Sequence, residues 1–203
     1  MGKLDLNKKA KEESLLSTAY KLFTTKGISK TSVSDITSDA GVAKGTFYLY
    51  FKDKYDLKDR LVAHQSAKIF REALDALAAC GKELSFNEKI IFIIDNILTR
   101  LEANRPQLIF IAKNLSWGVF KHAITSPKTG DALGFRTVYE DMIKDAPDGI
   151  DAPEIMLFTI VELVSSTCYS SILYSEPVGI EEFKPYLYKC VNDIIDRHTG
   201  AKK

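Results

Sequence analysis

Apolar residues recur at helical spacing along almost the whole chain. Leu15, Leu16, Ala19, Leu22 and Phe23 form one stripe, and Ile90, Ile91, Ile94, Ile97, Leu98 and Leu101 form another. Both keep to one face of a helix, and no segment sustains the strict alternation of a strand. The punctuation is helical as well. Gly27, after Lys26, is placed to cap a helix end with a positive φ. Asp53 with Asp56, and Ser85 with Glu88, set oxygen acceptors where free N–H groups open a helix. Asp151 is expected to cap the helix entered at Pro153. The pattern predicts about nine helices, over residues 8–26, 32–40, 43–51, 54–79, 86–101, 106–120, 129–145, 152–174 and 180–198. The expected fold class is therefore all-α, with a small head over 1–53 and a larger helical body over 54–203. No repeat, low-complexity tract or extended linker separates them.

Composition adds a direction to this picture. With 203 residues, 45% of them hydrophobic, the chain can fill a proper core. Residues 1–60 hold 12 Lys+Arg against 8 Asp+Glu, while residues 61–203 hold 16 against 19, so the positive charge lies at the front. An anionic partner suits the N-terminal part alone. Cys80, Cys168 and Cys190 are an odd number without C-x-x-C spacing, which indicates neither a disulfide framework nor a zinc site and fits a reducing cytoplasm. The opening MGKLDLNKKAKEE lacks the apolar run of a secretory signal peptide. The weakly polar stretch from Ile155 to Tyr174 is broken by Glu162 and several Ser and Thr, and reads as a buried helix rather than a membrane span. Gly41 and Gly45 have the spacing of a membrane dimerisation motif, but their polar surroundings read better as a turn followed by a close-packing position.

One segment carries chemistry. Residues 31–51, TSVSDITSDAGVAKGTFYLYF, make two short helices divided at Gly41, where positive φ allows a sharp turn. Val33, Ile36 and Ala40 share a face that Val42, Phe47 and Phe51 can close, which accounts for the inner side as core. Lys44, Thr46, Tyr48 and Tyr50 are left outward on a helix short enough for a DNA major groove. Lys44 can approach a base edge or phosphate. Tyr48 and Tyr50 can donate to phosphate oxygens, or one of them can cover the joint between helices. Thr31, Ser32 and Ser34 offer a phosphate-binding helix terminus or a plain N-cap, and Lys54 can meet the same strand.

Leu22-Phe23, Gly27, Thr31, Ile36, Ala40-Gly41-Val42, Lys44-Gly45-Thr46-Phe47-Tyr48, Phe51, Lys54 and Leu57 together resemble the N-terminal domain of the TetR family of transcriptional regulators, over about the first 60 residues. Tyr50 stands where histidine is frequent in that family, Thr37 where alanine is, and Leu49 where a second polar or aromatic contact is common, so Leu49 is left out of the expected contacts. The resemblance implies a repressor that a small-molecule effector releases from a double-stranded DNA operator. It also implies a homodimer through the last two long helices, about 152–174 and 180–198. Their stripes of Ile155, Phe158, Val161 and Val164, and of Phe183, Leu187, Val191, Ile194 and Ile195, support such a pairing. Two heads on one dimer would read a rough palindrome with half-sites ~34 Å apart or more.

For the effector, Phe92, Phe110, Asn114, Trp117, Phe120, His122, Cys168 and Tyr169 supply aromatic walls with a few polar groups, suited to a flat or amphipathic molecule. Each is more readily read as core, since aromatic residues at helical spacing mostly pack inside. No cofactor is expected. A metal sensor would have to rely on His122 or Cys168, and helical thiols are mostly small buried hydrophobes. An enzyme lacks its constellation, since His64, His122 and His198 are scattered and no H-x-x-H, G-x-S-x-G or phosphate-cradling loop occurs. The competing function is a ligand-independent DNA-binding protein that works through protein partners.

Overall fold

The computed structural model describes residues 3–114 and 149–199. Among them are eight helices and no strand: α1 (Lys3–Thr25), α2 (Val33–Asp39), α3 (Lys44–Tyr50), α4 (Lys54–Ala79), α5 (Phe86–Ala103), α6 (Arg105–Asn114), α7 (Pro153–Tyr174) and α8 (Ile180–Thr199). The all-α expectation holds. The helix expected over 129–145 and the end of the one over 106–120 lie outside the described residues. The chain divides into two compact units, Met1–His64 and Gln65–Lys203, and α4 contributes to both.

In the first unit, the head, Leu15, Ala19, Leu22 and Phe23 of α1 meet a core completed by Ile36, Phe47, Phe51, Leu57 and Leu61, all buried. Helices α2 and α3 have seven residues each. That length is too short to persist alone, and the α3 sequence KGTFYLY is made of mediocre helix formers. Tertiary packing must hold them, chiefly through Phe47, which is 0% exposed and edge-on to Tyr48 at 5.3 Å.

Local hydrogen bonds fix where each helix starts. At α2 the Ser32 hydroxyl accepts the Asp35 N–H at 3.1 Å and the Asp35 carboxylate accepts the Ser32 N–H at 2.8 Å. At α4 the Asp53 carboxylate accepts from the N–H groups of Tyr55 and Asp56, and Asp56 takes the Lys52 N–H. Ser85 and Glu88 form the expected capping box at α5. These backbone bonds hold the carboxyls of Asp35, Asp53 and Glu88 below the usual carboxylate range. Gly27 and Gly41 turn the chain with φ of +82° and +67°, as their places in the sequence predict.

In the second unit, the body, α8 packs on α7 and α5, and α6 on α7 and α5. The core is built of Leu98, Leu108, Met156, Ile160, Ile172, Leu187, Val191 and Ile195. Tyr188 donates to Asp95 at 2.6 Å, and the Lys184 ammonium bridges Asp95 and Glu181 at 3.1 and 2.6 Å, tying α8 to α5. Burial works to lower the Lys184 pKa, but its bonds to Glu181 and Asp95 outweigh that and leave it raised. The expected cap at Asp151 is corrected. Ala152, with φ of 46°, is the N-cap of α7 and makes no side-chain cap bond. Asp151 instead pairs through its backbone with His198, donating its N–H to the His198 carbonyl while its own carbonyl lies 2.6 Å from the imidazole Nδ1. Helix α7 is the one described helix long and apolar enough to cross a membrane by length and composition. It packs against α5, α6 and α8, but leaves Ile155 and Phe158 exposed.

Candidate functional site

Helix α3 is anchored on its inner side by Phe47 and presents an outer side of mixed chemistry. Lys44 is exposed, Thr46 half-buried, Tyr48 54% exposed and Leu49 77% exposed. Several bonds pin this surface to the rest of the head. The Ser14 hydroxyl donates to the Ala40 carbonyl at 3.3 Å, at the end of α2. The Tyr50 hydroxyl donates to the Lys8 carbonyl at 3.2 Å, tying α3 to α1. Arg60 holds Asp56 through two nitrogens at 3.1 and 3.2 Å while its guanidinium lies 5.2 Å from the Phe51 ring centre. The whole outer face is thus presented on a fixed backbone.

The expected contact residues separate under this geometry. Lys44 and Tyr48 stand where a partner can reach them, with Thr46 half-covered beside them, and Ser34 is exposed at the start of α2. Ser32 is exposed too, but its hydroxyl already caps α2 and the Asp35 carboxylate occupies the helix end, placing negative charge where a phosphate was expected. Thr31 is turned inward. It is 1% exposed and donates its hydroxyl to the Gly27 carbonyl at 2.9 Å. Lys54 is turned to the loop before α2 as well. Its ammonium lies within 3.0 Å of the Ile28 and Thr31 carbonyls and 3.4 Å of that of Ser29, using its donors to clamp the loop before α2. Tyr50 covers the joint with α1, the alternative open to one of the two tyrosines.

Leu49 and the 56% exposed Tyr55 of α4 are also open on the surface of the head. An exposed leucine is invisible to reasoning that assigns apolar residues to the core, whereas its position between Tyr48 and Tyr50 on a helix with Phe47 inside could have placed it. Gly45 is also corrected. A Cβ built there meets no atom within 4 Å, so the glycine serves no packing among the described residues.

The body holds a cavity of about 190 Å³ enclosed by α4, α5, α6 and α7. Ile69, Ile93, Ile97, Met156, Ile160 and Val164 are typical of its wall, and no charged residue stands among the described lining residues. Of the expected effector residues, Cys168 and Tyr169 line it. Phe92 borders a separate, more polar depression, and Phe110 is buried without lining the cavity. Asn114 closes α6, and Trp117, Phe120 and His122 lie outside the described residues. Among the described residues the wall is mainly aliphatic, with Phe70, Phe86 and Tyr169 as its rings. Burial pushes the Cys168 thiol up to about 11, against smaller lowering effects of Thr167 and Lys184. It is a protonated, apolar wall group at neutral pH. The Ser66 hydroxyl oxygen, also on the wall, is buried and has no hydrogen-bond partner. Among the described residues, no cluster of three His, Cys, Asp or Glu could hold a metal.

A core-anchored pair of short helices with a polar and aromatic outer face, carried on a chain that also builds a hollow helical body, defines the class of helix-turn-helix regulators. Comparison with known proteins makes this specific. Residues 15–61 match the family "Bacterial regulatory proteins, tetR family". The chain is 31% identical over 101 residues to the HTH-type transcriptional regulator YuxN of Bacillus subtilis (strain 168), covering 49% of this chain and 35% of that protein. It spans only about a third of that relative's length. The fold is similar to that of the transcriptional regulator FadR from Bacillus subtilis in complex with stearoyl-CoA, with a TM-score of 0.61, 16% identity and coverage of 91% of this chain and 99% of that one. It is also similar to a TetR family transcription regulator from Marinobacter aquaeolei VT8, with a TM-score of 0.58, 14% identity and coverage of 94% and 98%. Residues 15–61 thus match the tetR family, and the fold of the chain is similar to that of solved regulators of that family.

Proposed function

We propose that the chain is a DNA-binding transcriptional regulator, a repressor that a small-molecule effector releases from a palindromic operator. The observation that carries this reading is the outer face of α3, where Lys44, Thr46, Tyr48 and Leu49 stand outward on a helix whose inner residue Phe47 is fully buried. Lys44 and Tyr48 approach phosphates or base edges. Leu49 supplies an apolar contact of the kind a thymine methyl accepts. Ser34 is a peripheral contact. The protein works in the cytoplasm, as its unpaired thiols suggest, and performs no catalysis.

The active species is a homodimer joined through α7 and α8. Ile155, Phe158 and Tyr174 on α7 and Tyr186 on α8 are exposed, and a second copy is the economical cover for such faces. The body receives the effector, a role supported by its hollow core and by the stearoyl-CoA held by FadR, which shares its fold. A ligand that prefers one state of the body then biases the head through α4, the helix common to both units.

Selection of bound fragments from genomic DNA tests the reading, and an inverted repeat is the expected product. Lys44→Ala and Tyr48→Ala should each weaken operator binding about tenfold, the loss of one good contact of ~1.4 kcal/mol. Melting temperature and dimer mass should stay as they are. A protein with no preferred sequence, or unchanged affinity in both variants, overturns it.

A further inference from the structure

We propose that the cavity of the body takes an unbranched aliphatic chain bearing one uncharged hydrogen-bonding group, with Ser66 as its polar anchor. The inference rests on the reading of the body as an effector domain. It names the chemistry that domain recognises.

Shape decides for a chain over a ring. The lining stripe on α5 runs from Phe86 to Leu101, and that on α7 from Met156 to Tyr169. At 1.5 Å per residue these stripes extend about 22 and 20 Å. A volume of about 190 Å³ spread along such a length is narrow. An engineered cavity of ~150 Å³ accepts a compact guest such as benzene, but a hollow drawn out along two helices suits an extended chain. Chemistry agrees with shape. The walls are mostly isoleucine, leucine, valine and methionine, and no Asp, Glu, Lys, Arg or His among the described lining residues could neutralise a buried charge. A carboxylate or ammonium is therefore kept out of the interior, and a planar aromatic cation finds no counter-charge there.

Ser66 supplies the polar selectivity. Hydroxyls within these helices usually return to the carbonyl one turn back, as Thr24 does to Tyr20, Thr99 to Asp95 and Thr167 to Leu163. Ser66, in the middle of α4, does not, and its oxygen is buried on the cavity wall without a partner. Ser171 is also buried without a partner, but it does not line the cavity. A buried unpaired hydroxyl is unfavourable unless something meets it. A guest hydroxyl, ester or amide group at this point satisfies it, while the rest of the guest lies among the isoleucines.

The test uses the full-length protein, with 1-alkanols of six to twelve carbons as probes and melting temperature and calorimetric affinity as readouts. Affinity should rise about fourfold per added methylene until the cavity is filled. Decanoate at neutral pH and 2-naphthol should bind at least tenfold more weakly than decanol. Ser66→Ala should weaken alkanol binding about three- to tenfold, yet leave binding of the n-alkane of equal length unchanged or tighter. Val164→Trp, which fills the wall, should abolish alkanol binding. Failure of alkanols to bind a protein that still recognises its operator overturns the inference and leaves the regulator reading intact. Stronger binding of decanoate or 2-naphthol overturns it too, as does an equal effect of Ser66→Ala on alkane and alkanol. Alkanol binding by a protein without operator preference supports the inference while removing the regulator reading.

Discussion

The head and the body are made of the same material, amphipathic helices, and use it in opposite ways. Within the head, among the described residues, no buried side-chain polar atom lacks a partner, and Phe47 and Phe51 fill the space between helices. Within the body, Ser66, Ser171 and Asn192 each bury a polar atom unpaired, and a hollow of about 190 Å³ remains. The difference teaches where each unit can tolerate change. A surface that reads another molecule by the positions of a few side chains needs a backbone that does not yield, so its interior is satisfied and full. A unit that admits a guest must keep volume and a hydrogen-bonding site in reserve, at some cost to its own stability.

The strongest test of this contrast is truncation in each unit. Phe47→Ala removes a fully buried ring from the head and should cost about 3–5 kcal/mol, enough to unfold it. Leu157→Ala takes atoms from a half-buried wall that already faces empty space, and should cost under ~2 kcal/mol, below the usual range for a buried leucine. Urea titration of both variants checks the pair. Equal losses would mean that the body is packed as tightly as the head.

Next in size is Lys54→Met, which keeps the apolar stem and removes the ammonium that clamps the Ile28, Ser29 and Thr31 carbonyls. Leaving part-buried carbonyls without their donor should cost about 1–3 kcal/mol of head stability. The salt dependence of operator binding separates this clamp from a phosphate contact. Lys44→Ala should lower the slope of log affinity against log salt by about 1, as loss of one phosphate contact does, whereas Lys54→Met should lower affinity without changing the slope. A reduced slope for Lys54→Met would restore it to the reading face.

Much of the head was legible in sequence because each signal there has a single geometric use. Gly27 and Gly41 take the positive φ their turns require, Asp53 caps the start of α4, and Ile36, Phe47 and Phe51 fill one face. What misled were side chains with two uses. The threonine of a helix entrance and the lysine opening a long helix serve phosphate and carbonyl equally well in chemical terms, and only distance shows that Thr31 and Lys54 turn inward. The body resisted for a different reason. Isoleucine at helical spacing looks the same whether it fills a core or walls a cavity, since periodicity reports which side is dry and not whether it is full. Rings such as Phe92 and Phe110 stand out in the sequence but do not line the cavity, while Ile93, Ile97 and Ser66, which do, carry no mark of their own.

Gly45 sharpens the comparison at its outer boundary. A glycine in the first turn of a helix, with nothing within 4 Å of its absent Cβ, lowers stability without any gain in packing. On a face that meets DNA, the missing Cβ instead lets the backbone of α3 come close. Gly45→Ala should therefore raise the melting temperature, by up to ~1 kcal/mol of helix propensity, while weakening the operator complex. A variant that is more stable and binds equally well would remove close approach as the reason for the glycine.

The smallest effect concerns acid. Asp35 is held below its ordinary pKa of about 3.9 by the Ser32 backbone N–H, then by the Ser32 hydroxyl, and Asp53 by the N–H groups of Asp56 and Tyr55. The folded-state values are depressed, so the stabilisation is complete above the unfolded value and is lost as pH falls through the folded one. The head should accordingly hold its stability down to about pH 4 and weaken below it. Asp35→Asn should flatten that decline, because its side chain can still accept the Ser32 N–H but carries no titrating charge. Melting from pH 6 to pH 2, followed by the near-ultraviolet signal of the tyrosines, measures the difference. Parallel curves for Asp35→Asn and the unaltered protein would show that the capping box of α2 adds nothing to the rigidity of the reading surface.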